Sequence, residues 1–263
     1  MPILEMRRIT LSFGGLCAIR DFDLVLDGQN NRVHGIIGPN GAGKTTLFNI
    51  ITGVYQPDEG KIYLGESLLT GLPTHKIAQA GIARTFQNIR LFGDLSVLDN
   101  VRIGGHVRRQ HQLWQTILGT RGHRQGERVM TEMAHALLKS FGLAERWNQD
   151  ARHLSYGDQR RLEIARALAT QPRVLLLDEP AAGMNSSEKN ELAQLLLRVQ
   201  EQYQLTMLLI EHDIDMVRRL AQEITVLDHG QIIARGKPDA VCCDDKVIEA
   251  YLGKAQTKGQ AHG

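Results

Sequence analysis

Gly38-Pro39-Asn40-Gly41-Ala42-Gly43-Lys44-Thr45, followed by Thr46, satisfies G-x-x-x-x-G-K-[ST] at every fixed position. Glycines at this spacing let backbone N–H groups converge on phosphate oxygens with no Cβ in the way. A helix starting at the end of the loop adds its partial positive charge. Lys44 has the length to reach β- and γ-phosphates, and the Thr45 hydroxyl can ligate Mg²⁺. Residues 38–46 are therefore expected to hold a nucleoside triphosphate.

A second group of residues could act on that ligand. Val174-Leu175-Leu176-Leu177 is followed by Asp178-Glu179-Pro180, an apolar run ending in two carboxylates. In a phosphate-loop fold the ligand sits at the carboxyl ends of the strands. There Asp178 can hold Mg²⁺, directly or through water, and Glu179 can polarise an attacking water as general base. Leu205 to Ile210 is a similar run and delivers His212 to the same edge, where an imidazole could hydrogen-bond a γ-phosphate or could simply be structural. Gln87 stands at the end of a run from Ile82 to Phe86, placed to reach a metal-bound water or to cap a loop. Phe13 could stack on an adenine ring or could be an edge residue of the β core. In Leu154-Ser155-Tyr156-Gly157-Asp158-Gln159, Ser155 and Asp158 have capping-box spacing. The Ser155 hydroxyl and the Gly157 backbone could also form a second anion site, because a cap leaves other N–H groups free.

The elements that must position these residues can be read from periodicity. Val33 to Ile37 reads as a buried strand, and the residues from Leu47 on as the first turns of a helix. Ile3 to Leu26 reads as short strands turning at Phe13-Gly14-Gly15. Pro73 to Ala80 reads as a helix stopped by Gly81, and Ser96 to Val107 as a helix capped by Ser96 with Asp99. Arg128 to Phe141 reads as a helix closed by Gly142, and Ser187 to Gln200 as a core-facing helix. Ile224 to Leu227 and Gln231 to Ala234 make a hairpin over Asp228-His229-Gly230. Lys254 to Gly263 is polar and is expected to be a mobile tail.

The chain of 263 residues is 42% apolar and 23% charged, with a formal net charge of +2, which suits one α/β domain with a full core and gives no sign of nucleic acid as main partner. No apolar run approaches the roughly 20 residues that span a bilayer, and the first residues show no export signal. Cys17, Cys242 and Cys243 suit reduced thiols better than a disulfide framework. From Arg102 to Gly126 there are five arginines (102, 108, 109, 121 and 124), three histidines and no acid. Such a run could meet anionic headgroups or RNA phosphates, but a solvated helical face is favoured. His106, His111 and His123 lack zinc-site spacing.

These pieces, in this order, resemble the nucleotide-binding subunit of an ATP-binding-cassette (ABC) transporter over almost the whole chain. Residues 38–45 match its Walker A motif, Gln87 its Q-loop, Val174 to Asp178 its Walker B strand, and Glu179 its catalytic glutamate. Leu154 to Gln159 resembles the signature L-S-G-G-Q, departing at Tyr156 and Asp158 while keeping Ser155 and Gly157. His212 matches the switch histidine and Phe13 the adenine-stacking aromatic. Asn185 stands where many members carry an Asp. Ala83 to Phe92, Asp178 to Asn185, Ile248 to Gly253 and the segment between Val101 and Arg128 are similar to the ATPase subunit of bacterial branched-chain amino acid importers.

The resemblance implies a P-loop ATPase core with an antiparallel β subdomain (residues 1–90 and 172–253) and a helical subdomain (residues 91–171) carrying the signature. It implies ATP and Mg²⁺, with Lys44, Gln87, Glu179 and His212 acting in hydrolysis and Thr45, Gln87 and Asp178 at the metal. It also implies a second ABC ATPase subunit, identical or a sister chain, whose Ser155 and Gly157 equivalents complete the pocket. Transmembrane permease subunits are expected as partners, with a substrate-binding protein acting indirectly, at the cytoplasmic face of the inner membrane. Rival readings keep the fold and change the cargo, to lipopolysaccharide or urea, or make the chain a soluble mechanoenzyme acting on nucleic acid or ribosomes. The absence of repeats and heptads weighs against the last.

Overall fold

Strand β3 (Val33–Ile37), β7 (Val174–Asp178) and β8 (Thr206–Ile210) are buried at every position, as strands covered on both faces must be. They lie together in a six-stranded sheet of order β10-β9-β3-β8-β7-β6, with β6 at Ile82–Arg84, β9 at Glu223–Asp228 and β10 at Gln231–Gly236. All pairings in it are parallel except β9 with β10. A second, antiparallel sheet has the order β2-β1-β4-β5, from Leu4–Phe13, Leu16–Leu26, Glu59–Leu64 and Ser67–Leu68. The computed structural model describes residues 1–29, 32–108 and 121–252; Lys254 to Gly263 and Arg109 to His111 lie outside them.

Side chains alternate between strand faces, so one set of strands feeds two cores. Ile36, Val174, Leu176, Leu208 and Ile210 join the first sheet's Leu4, Met6, Phe22 and Leu24 in one cluster. Helix α1 (Lys44–Ile51) lies in that cluster through Leu47, Phe48, Ile50 and Ile51. Burying each such side chain is worth about 1.5–3 kcal/mol, and Phe48→Ala would cost about 3–5 kcal/mol. Val33, Ile37, Leu175, Leu177 and Leu209 face the opposite cluster, shared with the helices.

Those helices are α2 (Thr74–Ala80), α3 (Val97–Gly105), α4 (Arg121–Ser140), α5 (Tyr156–Ala169), α6 (Ser186–Tyr203), α7 (Ile214–Leu220), α8 (Pro238–Val241) and α9 (Asp245–Leu252). Gly81 ends α2 in the left-handed region, and Ser96 and Ser155 accept from the N–H groups of Asp99 and Asp158 as the spacing requires. A mainly parallel core sheet, an antiparallel sheet and helical elements make the α/β architecture that the sequence resemblance implies.

Several boundaries differ from expectation. β1 and β2 are long strands, and shifts in their register coincide with left-handed backbone at Arg8 and Asp21. Helix α4 begins before Arg128. Strand β6 stops at Arg84, and only Thr85 N–H adds a further ladder bond, to Leu176 O at 2.9 Å. Beyond it the carbonyls of Phe86 and Gln87 turn to the Arg160 guanidinium instead. In the basic stretch, Arg102 pairs with Asp99 (3.0 Å) and Glu127 (2.8 Å), and so is no free cation. The side chains of Arg108, Arg121, His123 and Arg124 lie outside the described residues. No described helix is long and apolar enough to cross a membrane.

Candidate functional site

The site is built where β3 gives way to α1. Gly38 has φ 149°, and a Cβ there would lie 2.0 Å from Leu227 O; at Gly43 (φ 102°) it would lie 2.7 Å from Ala18 O. No side chain fits at either position, so only glycine lets the backbone take this tight course. The loop is braced from behind by the β9–β10 turn, where Gly230 N–H donates to Ala42 O (3.0 Å) and Gly230 O accepts from Arg20 N–H (2.9 Å).

Lys44 folds back into the loop, donating from Nζ to Gly38 O (2.7 Å) and Pro39 O (2.9 Å). Burial pushes its pKa down, and the charges of Glu179 and Asp178 act in the opposite direction. Both acceptors are uncharged carbonyls, so an incoming phosphate would give this ammonium a partner of opposite charge.

A cleft of about 620 Å³ opens over the loop. Residues 40–46 line it together with Gln87, Glu179 and His212. Phe13 lines it too, exposed and edge-to-face with Tyr55 at 5.1 Å between ring centroids. Leu16, Cys17, Ala18 and His229 complete the wall, and nothing in the sequence marks them as site residues.

Glu179 is the hub of the polar groups. Its Oε2 accepts from Gln87 Nε2 at 2.9 Å, and its Oε1 lies 2.6 Å from His212 Nε2. Its backbone is left-handed, φ 48°, which costs on the order of 1–2 kcal/mol outside glycine and is held by Glu179 N–H donating to Ile210 O at 2.9 Å. The strand therefore ends in a turn that swings this carboxylate into the cleft.

His212 is placed by a residue that the sequence did not flag. Glu211 is buried, and its two carboxylate oxygens accept from Ala181 N–H (2.8 Å) and His212 N–H (3.1 Å). Burial pushes its pKa up, against the pull of those N–H groups. It ties the segment after Glu179 to the segment carrying the imidazole.

Asp178 lies below the cleft wall, with Oδ2 accepting from Arg84 Nη2 at 2.7 Å. The Thr45 hydroxyl, the Gln87 amide oxygen and the Asp178 carboxylate are hard oxygen donors of the kind Mg²⁺ takes. Gln87 contacts Glu179 through nitrogen, which leaves its oxygen as the group for a cation. In their chemistry these donors fit the ion.

Ser155 and Gly157 do not line this cleft. Ser155 is exposed at the start of α5, donating from Oγ to Asp158 Oδ2 at 2.9 Å, and a Cβ on Gly157 would meet only Glu188 Oε1, at 3.8 Å. Asn185 caps α6 in a complete capping box with Glu188.

A family profile described as "ABC transporter" matches residues 22–182, and one described as "Branched-chain amino acid ATP-binding cassette transporter" matches residues 231–256. The chain is 42% identical over 97% of its length to the high-affinity branched-chain amino acid transport ATP-binding protein BraF of Pseudomonas aeruginosa, covering 99% of that protein. It is equally similar, with the same coverage, to the protein LivG of Escherichia coli, which has the same description. Among solved structures, an ABC-transporter cassette in its ADP conformation superposes with a TM-score of 0.82 at 31% identity, covering 97% of this chain and 100% of that one. A dimeric cassette in a post-hydrolysis state, bound to ADP and Pi, superposes with a TM-score of 0.73 at 26% identity, covering 89% and 98%. By profile, by full-length relatives and by fold, the chain belongs to the ATP-binding-cassette transporter family.

Proposed function

We propose that the chain is the ATP-hydrolysing subunit of a branched-chain amino acid importer, working as one of two cassettes at the cytoplasmic face of the membrane. The observation that carries the catalytic part is the Gln87–Glu179–His212 chain of contacts at the mouth of the phosphate-loop cleft. Glu179 takes the proton of the attacking water, and the His212 ring, which meets the Glu179 carboxylate in this structure, turns its N–H to the γ-phosphate when nucleotide is bound. Lys44 and the loop N–H groups bind the triphosphate, and Phe13 receives the adenine. Thr45, Gln87 and Asp178 would hold Mg²⁺, whose charge would offset that of the phosphates.

The exposed start of α5 supports the two-cassette reading. Ser155 and Gly157 lie outside their own cleft at an exposed helix start, so a phosphate held by a second subunit could reach them, with the Ser155 hydroxyl exchanging Asp158 for it. Closure around the nucleotide then brings two half-sites together, and hydrolysis removes the anion that bridges them.

Motion has to pass to membrane subunits. An apolar groove of about 730 Å³ runs beside the Gln87 segment, with Phe86, Leu91, Phe92 and Ile103 on its wall. Its continuity with Gln87 supports it as the seat for a cytoplasmic segment of a permease subunit. The cargo rests on the likeness to BraF and LivG, and a substrate-binding protein would deliver it. The deciding experiment is purification of the chain with its membrane partners, reconstitution, and transport of leucine, isoleucine and valine. ATP hydrolysis stimulated by those amino acids is expected; stimulation by urea alone, or copurification with ribosomes, would replace this reading.

A further inference from the structure

Arg160 sits in α5, five residues beyond Ser155, and is closed to solvent, with 0% exposure. Its Nη1 donates to Phe86 O at 2.6 Å and to Glu163 Oε2 at 2.7 Å. Its Nη2 donates to Gln87 O at 2.7 Å and lies 3.4 Å from the Tyr156 hydroxyl. Glu163, nearly as buried, accepts Arg90 N–H at 3.3 Å. The Arg160 Nε has no hydrogen-bond partner among the described residues.

Such a site is costly for fold stability alone. Burying a guanidinium and a carboxylate costs several kcal/mol per ion before their attraction is counted, and an apolar pair of similar volume is often as stable or more so. Neutralising Glu163 also needs no carbonyls. An apolar pair could not, however, grip two successive carbonyls, and the planar fork of arginine does so with fixed geometry. The carbonyls it grips belong to Gln87, whose amide touches Glu179, and to the residue before it.

We infer that Arg160 is a positioning residue for ATP hydrolysis, clamping the Phe86–Gln87 backbone to α5 so that Gln87 is presented to Glu179 only when α5 is in place. The clamp ties the residue that contacts the general base to the helix whose N-terminus carries Ser155. The same helix start also reaches the segment beyond Glu179: a Cβ on Gly183 would lie 3.5 Å from the Tyr156 ring. Seating of α5 is thereby reported to Glu179 along two routes, through Gln87 and through the turn at Gly183. The inference rests on the proposed role of Gln87 in hydrolysis.

The test is a double-mutant cycle on the full chain in its reconstituted complex. Arg160→Met combined with Glu163→Leu removes both charges together, so that neither is left buried alone. ATP affinity should stay within about twofold, and kcat should fall by about ten- to a hundredfold, the scale of a small misplacement of a reacting group. Adding Gln87→Ala should then cost nothing further, because both changes break one chain of contacts. Losses that multiply, or a native kcat in the paired variant, would overturn the inference. Native kcat in Gln87→Ala alone would overturn the role of Gln87 and the inference with it. Should the paired variant melt early, Arg160→Lys, with one donor group in place of the fork, goes through the same cycle and is judged by the same outcomes.

Discussion

Arg84 and Asp178 form an ion pair of 2.7 Å with side chains only 6% and 4% exposed. The same guanidinium donates from Nη1 to Asn49 Oδ1 at 2.7 Å and lies over the rings of Phe48 and Phe86. One side chain thus joins the phosphate-loop helix, the strand that ends in the two carboxylates, and the Gln87 segment. Arg84→Ala would leave Asp178 buried without a partner, and the folded state is expected to lose about 3–5 kcal/mol. Urea denaturation of the purified chain reads this directly; an unchanged midpoint would mean that the pair contributes nothing.

Glu179→Gln keeps the shape of the hub and removes the base. The Gln87 and His212 contacts can be rebuilt around an amide, so ATP binding should survive while turnover falls by about 10²-fold or more. Equilibrium binding and phosphate release, measured on one preparation, separate the two effects. Hydrolysis at the native rate would exclude Glu179 as general base.

Ser155→Arg places a long cation at the exposed start of α5, away from the chain's own cleft. Nucleotide affinity of the isolated subunit should be nearly unchanged, while turnover of the assembled complex is lost. If the monomer itself bound ATP poorly, Ser155 would belong to its own chain's pocket.

Glu211 gives a pH signature. Burial raises its carboxyl above the ordinary 4.5, so the folded state holds this proton more tightly than the unfolded chain does. The associated stability is complete below pH 4.5 and is lost as pH rises through the folded value. A glutamine carries no such charge. The stability of Glu211→Gln relative to the native chain should therefore climb from pH 4 to pH 8, in thermal melts across that range. A flat difference would show that the carboxyl titrates as it does in the unfolded chain.

The parts of this molecule legible in its sequence are those written locally. The phosphate loop, the Ser96 and Ser155 caps, the Gly81 stop and the β9–β10 turn are each fixed by a few neighbouring residues. What escaped notice depends on distant partners. Nothing near Arg84 or Arg160 announces that each will be buried against a segment more than seventy positions away. Glu211 looks like an ordinary charge beside a histidine until Ala181 is folded against it. His229 reads in sequence as a turn residue, and only the contact of Gly230 with Ala18 and Ala42 brings that turn to the cleft. Asn185 drew attention as a departure from an Asp, yet both residue types cap a helix, and capping is what it does here.

Strand β3, which launches the phosphate loop, takes its hydrogen-bonded neighbours from the far end of the chain: Val33 pairs with Met207 and His34 with Glu223. During synthesis the loop therefore leaves the ribosome long before the strands that flank it exist. A nascent chain halted short of β8 has all of residues 38–46 but neither strand neighbour of β3 to hold them in shape, so nucleotide can serve as a folding ligand only late in translation.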